Sequence, residues 1–287
     1  MTKGILVFAV NNDNVDYVLQ ACFVAKRVKQ FLNIPVTLVT TDREYFNKKY
    51  KQYRNLFDKI IDLDQRRLLG LNYKRYYDGS FSYKILEFRN GHRHLAYELS
   101  PYDETIVIDT DYVINSKKLL KAFQDSNDLL IYKDATDISG WRKDFEFDFI
   151  NDTGVEFYWA TCFFFRKGRY AKLFFDTLRH VCRHWEHYSL VYDVGTQTFR
   201  NDHAFSIALH ILNGRSSSKY AKDFPGKLFY TLDRDIFVEM EAGHNTFLVE
   251  KQQSAGNYNA ISTKGLDVHV MNKFSLNQRI REEMVYE

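Results

Sequence analysis

Ile106-Val-Ile-Asp-Thr-Asp-Tyr-Val113 is the stretch on which the reading of this chain turns. With Thr105 in front, its first residues make an apolar, β-prone run that ends abruptly in two aspartates one residue apart. In extended chain such residues project to the same side, so the carboxylates of Asp109 and Asp111 can converge on one point. Two carboxylates that close repel unless a cation stands between them. At the carboxyl end of a parallel strand they face the crevice where ligands of open α/β sheets bind. A cation there would bridge phosphates and neutralise a departing anion. Asp-x-Asp also occurs as a plain turn, so the surroundings must decide.

Toward the N-terminus, Ile5-Leu-Val-Phe-Ala-Val10 reads as a strand buried on both faces. Asn11-Asn-Asp-Asn14 supplies turn and N-cap chemistry. Val15, Val18, Leu19, Cys22, Ala25 and Val28 then share one face of a helix. Val36–Thr40 and Lys59–Leu63 read as the next two strands, and this start implies a parallel sheet with a right-handed crossover. Phe81 to Leu99 reads as a long helix leading to the Asp-x-Asp strand.

Beyond the motif, Ser116 caps a short helix, Lys117 to Phe123, and Leu129–Tyr132 is a strand. An acidic loop over residues 144–156 precedes a strand from Phe157 to Phe165. Helices follow over Tyr170–Trp185 and Asp202–Leu212. Short strands at Leu228–Tyr230 and Val268–Val270 complete the sheet. No repeat or low-complexity linker interrupts the 287 residues.

Composition bounds the function. Apolar residues make up 45%, the range of a globular protein, and the aromatics are many, with 20 Tyr and 24 Phe. Cys22, Cys162 and Cys182 are too scattered for a zinc site and imply a reducing compartment. No apolar run is long enough to span a membrane, so a cytoplasmic protein is expected, in a host's cytoplasm if the chain is phage-encoded. There is no phosphate-binding Gly-x-x-x-x-Gly-Lys loop, Gly-rich dinucleotide turn, Gly-x-Ser-x-Gly elbow or zinc-deaminase signature.

Five segments carry a resemblance, in order along the chain. They are Asn12-Asp13 followed by Tyr17, Tyr83-Lys-Ile-Leu86, Ile106–Val113, Asp202-His203 and Asp267-Val-His-Val270. Together they resemble the glycogenin-like branch of the GT-A glycosyltransferases. The resemblance implies a Rossmann-like, mixed and mostly parallel sheet flanked by helices, in one domain over residues 1–287. Residues 1–115 would form the nucleotide-binding half, and residues 116–287 the acceptor-binding half with the C-terminal metal-ligand segment. The implied activity is metal-dependent transfer of a sugar from a UDP-sugar or other nucleotide-sugar, with retention of anomeric configuration.

Residue roles follow from the matched positions. Asp109, Asp111 and His269 would hold Mn²⁺, or Mg²⁺, the imidazole favouring manganese; His269 is otherwise an ordinary strand histidine. Tyr17 would stack on the nucleobase while the backbone of Val10 and Asn11 reads its edge, or it is a plain helix aromatic. Asp42 would accept a hydrogen bond from base or ribose, or cap a turn. Lys84 and Lys273 would pair with phosphate, unless simply solvated. Asp202 would stand near the anomeric carbon, orienting the sugar, stabilising its cationic centre or acting as a nucleophile, or it is an N-cap. The family's Asn-Ser-Gly strand start is replaced around Ala160-Thr-Cys162, and its closing Gly and Pro-Trp are absent after His269. The donor sugar is therefore open.

The acceptor is read from charge. From Thr41 to Tyr77 there are ten Lys/Arg against five Asp/Glu. Lys48, Lys49, Lys51, Arg54, Arg66, Arg67, Lys74 and Arg75 interleave with Tyr45, Tyr50, Tyr53, Tyr73, Tyr76 and Tyr77. Such a set suits phosphate contacts and base stacking. The first forty residues also resemble small glycosyltransferase-like proteins of tailed bacteriophages, which implies a hydroxylated pyrimidine in DNA as acceptor. Arg166, Lys167 and Arg169 form a second basic group. A solvated face with aromatic stems beneath it accounts for the same pattern. A saccharide or protein acceptor, and a non-catalytic nucleic-acid-binding module, are the alternatives.

Overall fold

The computed structural model describes residues 1–64, 72–151, 154–195, 198–214, 219–241 and 243–285. Arg66 and Arg67 of the basic series lie outside them.

The apolar runs pair into a central sheet as their two-sided burial requires. Its strands are β1 (Lys3–Phe8), β2 (Val36–Thr40) and β3 (Lys59–Asp62), then, past a hairpin of β4 (Tyr73–Tyr77) and β5 (Tyr83–Glu87), β6 (Glu104–Ile108). After the two-residue β7 (Tyr112–Val113) come β8 (Leu129–Tyr132), the small β9 (Ala135–Asp137), β10 (Trp159–Arg166) and β11 (Lys222–Asp223). The seven-stranded order is β11-β8-β10-β6-β1-β2-β3. Only β10 opposes its neighbours, so the sheet is mixed and mostly parallel. Alternation along β1 sends Ile5 and Val7 into one core, beneath α1 (Tyr17–Phe31), and Leu6 and Phe8 into the other.

After α2 (Arg43–Lys49) and α3 (Ala96–Leu99), the second core is covered by α4 (Arg169–Arg183), α5 (Trp185–Val191) and α6 (Asn201–Asn213). Helix α4 buries Ala171, Phe174, Phe175, Leu178 and Val181 along one stripe, the spacing of a helix lying on a sheet.

Two departures from the sequence expectation matter for the site. Residues 81–99 are not one helix. Tyr83–Glu87 pairs antiparallel with Tyr73–Tyr77, and only a 3₁₀ turn, His92–Leu95, and the short α3 follow. Gly79 at φ 76° turns the hairpin, and its β-prone Tyr and Ile residues prefer cross-strand pairs to a helix.

Nor do Leu228–Tyr230 and Val268–Val270 complete the central sheet. β12 (Leu228–Thr231) and β16 (Val268–Val270) join β7 and β9 in a second sheet, ordered β7-β16-β12-β9. A third, antiparallel sheet of β13 (Ile236–Glu241), β14 (His244–Glu250) and β15 (Tyr258–Lys264) was not anticipated. Helix α7 (Lys273–Val285) then packs against β13 and α1.

Smaller corrections concern caps. Asp16 is the N-cap position of α1, its carboxylate accepting from the Leu19 N–H at 2.9 Å, while Asn11 Oδ1 of the Asn11–Asn14 run accepts from the Val18 N–H of the same first turn at 3.0 Å. Arg200 is the N-cap position of α6, so Asp202 is no cap.

Candidate active site

The second sheet exists because the chain turns at the motif. Past Asp109 it leaves the central sheet as β7, and β16 pairs with it, His269 opposite Tyr112. That register brings the histidine beside Asp111. The turn is tied on each side. The Asp109 N–H donates to Thr161 O of β10 at 2.9 Å, and the Val270 N–H to Asp111 O at 2.9 Å. Thr110 Oγ1 donates to Gln20 Oε1 of α1 at 2.9 Å, and Gln20 Nε2 to Asn277 Oδ1 of α7 at 2.6 Å. Asp267 anchors the start of β16 by accepting from the Asn115 N–H (2.7 Å) and Ser116 Oγ (2.9 Å).

One candidate ligand atom each from Asp109, Asp111 and His269 lies within 4.8 Å of the others. At that separation two ionised carboxylates repel by about 3 kcal/mol at an effective dielectric constant near 20. The protein answers with cations. Arg93 pairs with Asp109, and Lys273 with Asp111. His269 Nε2 stands 3.0 Å from Asp111 Oδ2, with Nδ1 3.5 Å from Thr161 Oγ1.

Burial works against the Asp111 carboxylate, but His269 and Lys273 outweigh it and hold its pKa far below the usual range. Asp109 goes the other way, raised to about 6 by burial, with the Asp111 charge adding and Arg93 opposing. Two carboxylate oxygens and an imidazole nitrogen form a donor set that fits a hard or borderline divalent ion such as Mg²⁺ or Mn²⁺. Such an ion would supply charge for a bound diphosphate.

These three residues open into a cavity of about 200 Å³ that Tyr17, Lys74, Arg93, Asp202, Asp233 and Lys273 also line. Asp202 reaches it from the first turn of α6. Its Oδ1 accepts from the Ala160 N–H of β10 at 2.9 Å, and Oδ2 lies 3.4 Å from Arg200 Nη2. Burial disfavours its charge, but Arg200, the Ala160 N–H and Arg93 prevail and keep the pKa below the usual range. Asp202 is thus an ionised carboxylate facing the same cavity as the metal cluster.

The other expected donor residues are distributed differently. Tyr17 lines the cavity, 4% exposed, its hydroxyl donating to Tyr76 Oη at 3.1 Å. Val10 has no free backbone group, since its N–H and carbonyl both bond the Asn90 side chain (2.8 and 2.9 Å). Asp42 accepts from the Asn11 N–H at 2.9 Å, and both residues line a separate shallow cleft with Asn12, Asp13 and Arg89. Lys84 is exposed on β5, over the ring of Phe274, and does not line the cavity.

Lys273 lines it as expected; Arg93 and Arg200 were missed, and Lys74 and Arg75, read as acceptor contacts, line it as well. Arg93 had a signal. The Asn90-Gly91 pair is a turn marker that argues against a continuous helix there.

The basic face divides. Lys48, Lys49, Lys51 and Arg54 are exposed. Tyr45 and Tyr50 beneath them donate to Asp16 Oδ2 (2.7 and 2.6 Å), and Tyr53 donates to Met284 O at 3.0 Å. All three rings pack against the core, the arrangement of aromatic stems under a solvated face. In the second group, Arg166 is engaged with Glu104 and Asp128, and Lys167 with Ser100 O.

No family model and no curated protein matches the chain. Solved structures align with the chain at low similarity. The glycosyltransferase GlyE of Streptococcus pneumoniae TIGR4 is 12% identical at a TM-score of 0.42, over 78% of this chain and 45% of that one. The galactosyltransferase LgtC, solved with donor and acceptor sugar analogues, is 14% identical at 0.43, over 79% and 73%. A Bacillus anthracis protein described as a glucose-1-phosphate thymidylyltransferase is 8% identical at 0.42, over 79% and 87%. The chain therefore spans less than half the length of the pneumococcal protein. At this level of similarity the functional reading stands on the site's own geometry. Among the described residues no helix is long and apolar enough to cross a membrane.

Proposed function

We propose that this chain is a metal-dependent glycosyltransferase of the GT-A kind, moving a sugar from a nucleotide-sugar, UDP-linked in our reading, to a hydroxyl acceptor. The observation that carries this is the convergence of Asp109, Asp111 and His269 in a cavity that also holds an ionised carboxylate, Asp202, and a wall of cations. Asp109, Asp111 and His269 would hold Mn²⁺ or Mg²⁺. Arg93 and Lys273, which neutralise the carboxylates here, would then be free to face the diphosphate.

Asp202 would stand by the sugar. As the bond from the anomeric carbon to the diphosphate breaks and the bond to the acceptor oxygen forms, its negative charge stabilises the cationic centre between them. Tyr17 supports a base-stacking role by its place in the cavity wall, and Asn11 and Asp42 support a ribose or base contact only through the neighbouring cleft. The chain would act as one transferase domain.

For the acceptor, the exposed Lys48–Arg54 face supports phosphate contact with DNA, and a hydroxylated pyrimidine remains our acceptor reading. Stacking by Tyr45, Tyr50 and Tyr53 is withdrawn, because their rings are packed inward. The test is incubation of the protein and Mn²⁺ with a panel of nucleotide-sugars and with hydroxymethylated DNA or oligosaccharides, followed by mass spectrometry. Free nucleoside diphosphate and a sugar-shifted acceptor would support the reading. Stabilisation by DNA with no metal-dependent nucleotide binding would favour a non-catalytic nucleic-acid-binding module instead.

A further inference from the structure

Lys74 is one of the cations lining the cavity that the metal corner does not use. It is half-buried on β4, with Nζ 3.4 Å from the centroid of the Phe88 ring, and it makes no hydrogen bond or ion pair among the described residues. The charges that act on it most are Arg200 and Asp202, ahead of Arg93 and Lys273. Around the metal corner, charges are matched. Arg93 answers Asp109 and Lys273 answers Asp111, so a divalent ion's charge is left for a diphosphate. Asp233 is faced by Arg142 and Arg234 as well as by Lys273. On the Asp202 side, however, Lys74 and Arg200 face one carboxylate, Arg75 lines the cavity as well, and positive charge is in surplus. Burying an unpaired ammonium is costly, and burial, then Arg200, lower the Lys74 pKa to about 7. A ligand anion is what would relieve that cost.

We propose that Lys74 and Arg200 form an oxyanion subsite on the Asp202 side of the cavity, taking one singly charged carboxylate or phosphodiester carried by the donor sugar or by the acceptor. The subsite rests on the transferase reading and adds to it. The substrate pair carries an anion besides the diphosphate. Arg200 offers a planar fork and Lys74 a point charge on an aromatic shelf, and together they suit an oxyanion better than a neutral hydroxyl.

The experiment is calorimetry on the full chain with Mn²⁺, in two arms. The donor arm compares UDP-glucuronate with UDP-glucose. The acceptor arm loads the protein with Mn²⁺ and UDP, then compares thymidylyl-thymidine with thymidine. In one arm the charged member should bind about tenfold tighter than the neutral one, and that arm identifies the source of the anion. Lys74→Gln and Arg200→Gln should each shrink the preference to within about threefold, while Lys74→Arg should restore it. No preference in either arm of the wild type, or a preference that survives both Gln variants, overturns the subsite while leaving the transferase reading intact. Failure of UDP itself to bind with Mn²⁺ overturns that reading and the subsite with it.

Discussion

The metal corner and the cation wall of the same cavity are built in opposite ways. At the corner, Asp109 and Asp111 flank the turn from β6 into β7, and His269 is the middle residue of β16. The Asp109 backbone is pinned by β10, that of Asp111 by β16, and the turn between the aspartates by Gln20 of α1. The wall comes from a two-stranded hairpin, a 3₁₀ turn and the start of α6, which contribute Lys74, Arg93 and Arg200. A corner fixed by two sheets can hold carboxylates at a set spacing, as metal binding requires. The cations come from elements that share no sheet with one another. The difference puts a hydrogen-bonded frame where coordination geometry matters and separate elements where charge alone does.

The largest effect should come from breaking the corner. Asp111→Asn removes a charge-bearing ligand and leaves Lys273 without its partner. Mn²⁺-dependent UDP affinity should fall roughly 1,000-fold, beyond the 10- to 100-fold typical of outer-shell changes. His269→Ala should cost about tenfold, because the carboxylates carry the charge. Calorimetry in Mn²⁺ measures both, and an equal loss at His269 would reverse this ranking of ligands.

Asp202→Asn separates the corner from the chemistry. Asparagine can still accept from the Ala160 N–H, so fold and Mn²⁺–UDP binding should hold while donor turnover falls about 100-fold. Unchanged turnover would leave Asp202 a tie between β10 and α6 and nothing more.

The wall is probed by pH. Burial, and then Arg200, hold Lys74 at about 7, below an ordinary lysine. Its charge is therefore present below pH 7 and lost as pH rises through 7 toward 9. Affinity for the preferred charged probe should drop about tenfold between pH 7 and 9, and Lys74→Arg, charged throughout, should flatten the profile. A flat wild-type profile would show that Lys74 does not meet the anion.

The smallest effect is expected far from both regions. Replacing Lys48, Lys49, Lys51 and Arg54 by Gln should change donor turnover without acceptor by less than about twofold, as for surface charges remote from a site. If the protein binds DNA through this face, the same variant should reduce the salt slope by roughly one unit per charge removed. A large loss of donor turnover would mean that the face communicates with the cavity.

The same contrast governs what the sequence discloses. β1, β2, β6 and β10 are legible because strands buried on both faces must be apolar throughout, and the Asp-x-Asp at the end of β6 inherits that clarity. His269 is legible only by resemblance. Its partner strand β7 is two residues long, so no periodicity marks the sheet that carries it to Asp111. Nothing in the sequence marks Lys74, Arg93 and Arg200 as cavity residues: Lys74 reads as one of a basic-aromatic series, Arg93 has only a turn marker before it, and Arg200 reads like any solvated cation. The misread helix over residues 81–99 shows the limit from the other side. Its aromatic and branched residues suit either period, and the hairpin turn at Gly79 and the 3₁₀ start after Gly91 decide between them.

The central claim is that Asp109, Asp111 and His269 share one divalent ion beneath a nucleotide diphosphate. The most direct test is a crystal grown with MnCl₂ and UDP and measured at the manganese absorption edge. A single anomalous peak is expected at coordination distance, roughly 2.0–2.2 Å, from an oxygen of each aspartate and a nitrogen of His269, with the diphosphate as a further ligand. UDP bound with no peak at these residues, or a peak elsewhere in the molecule, would contradict the account.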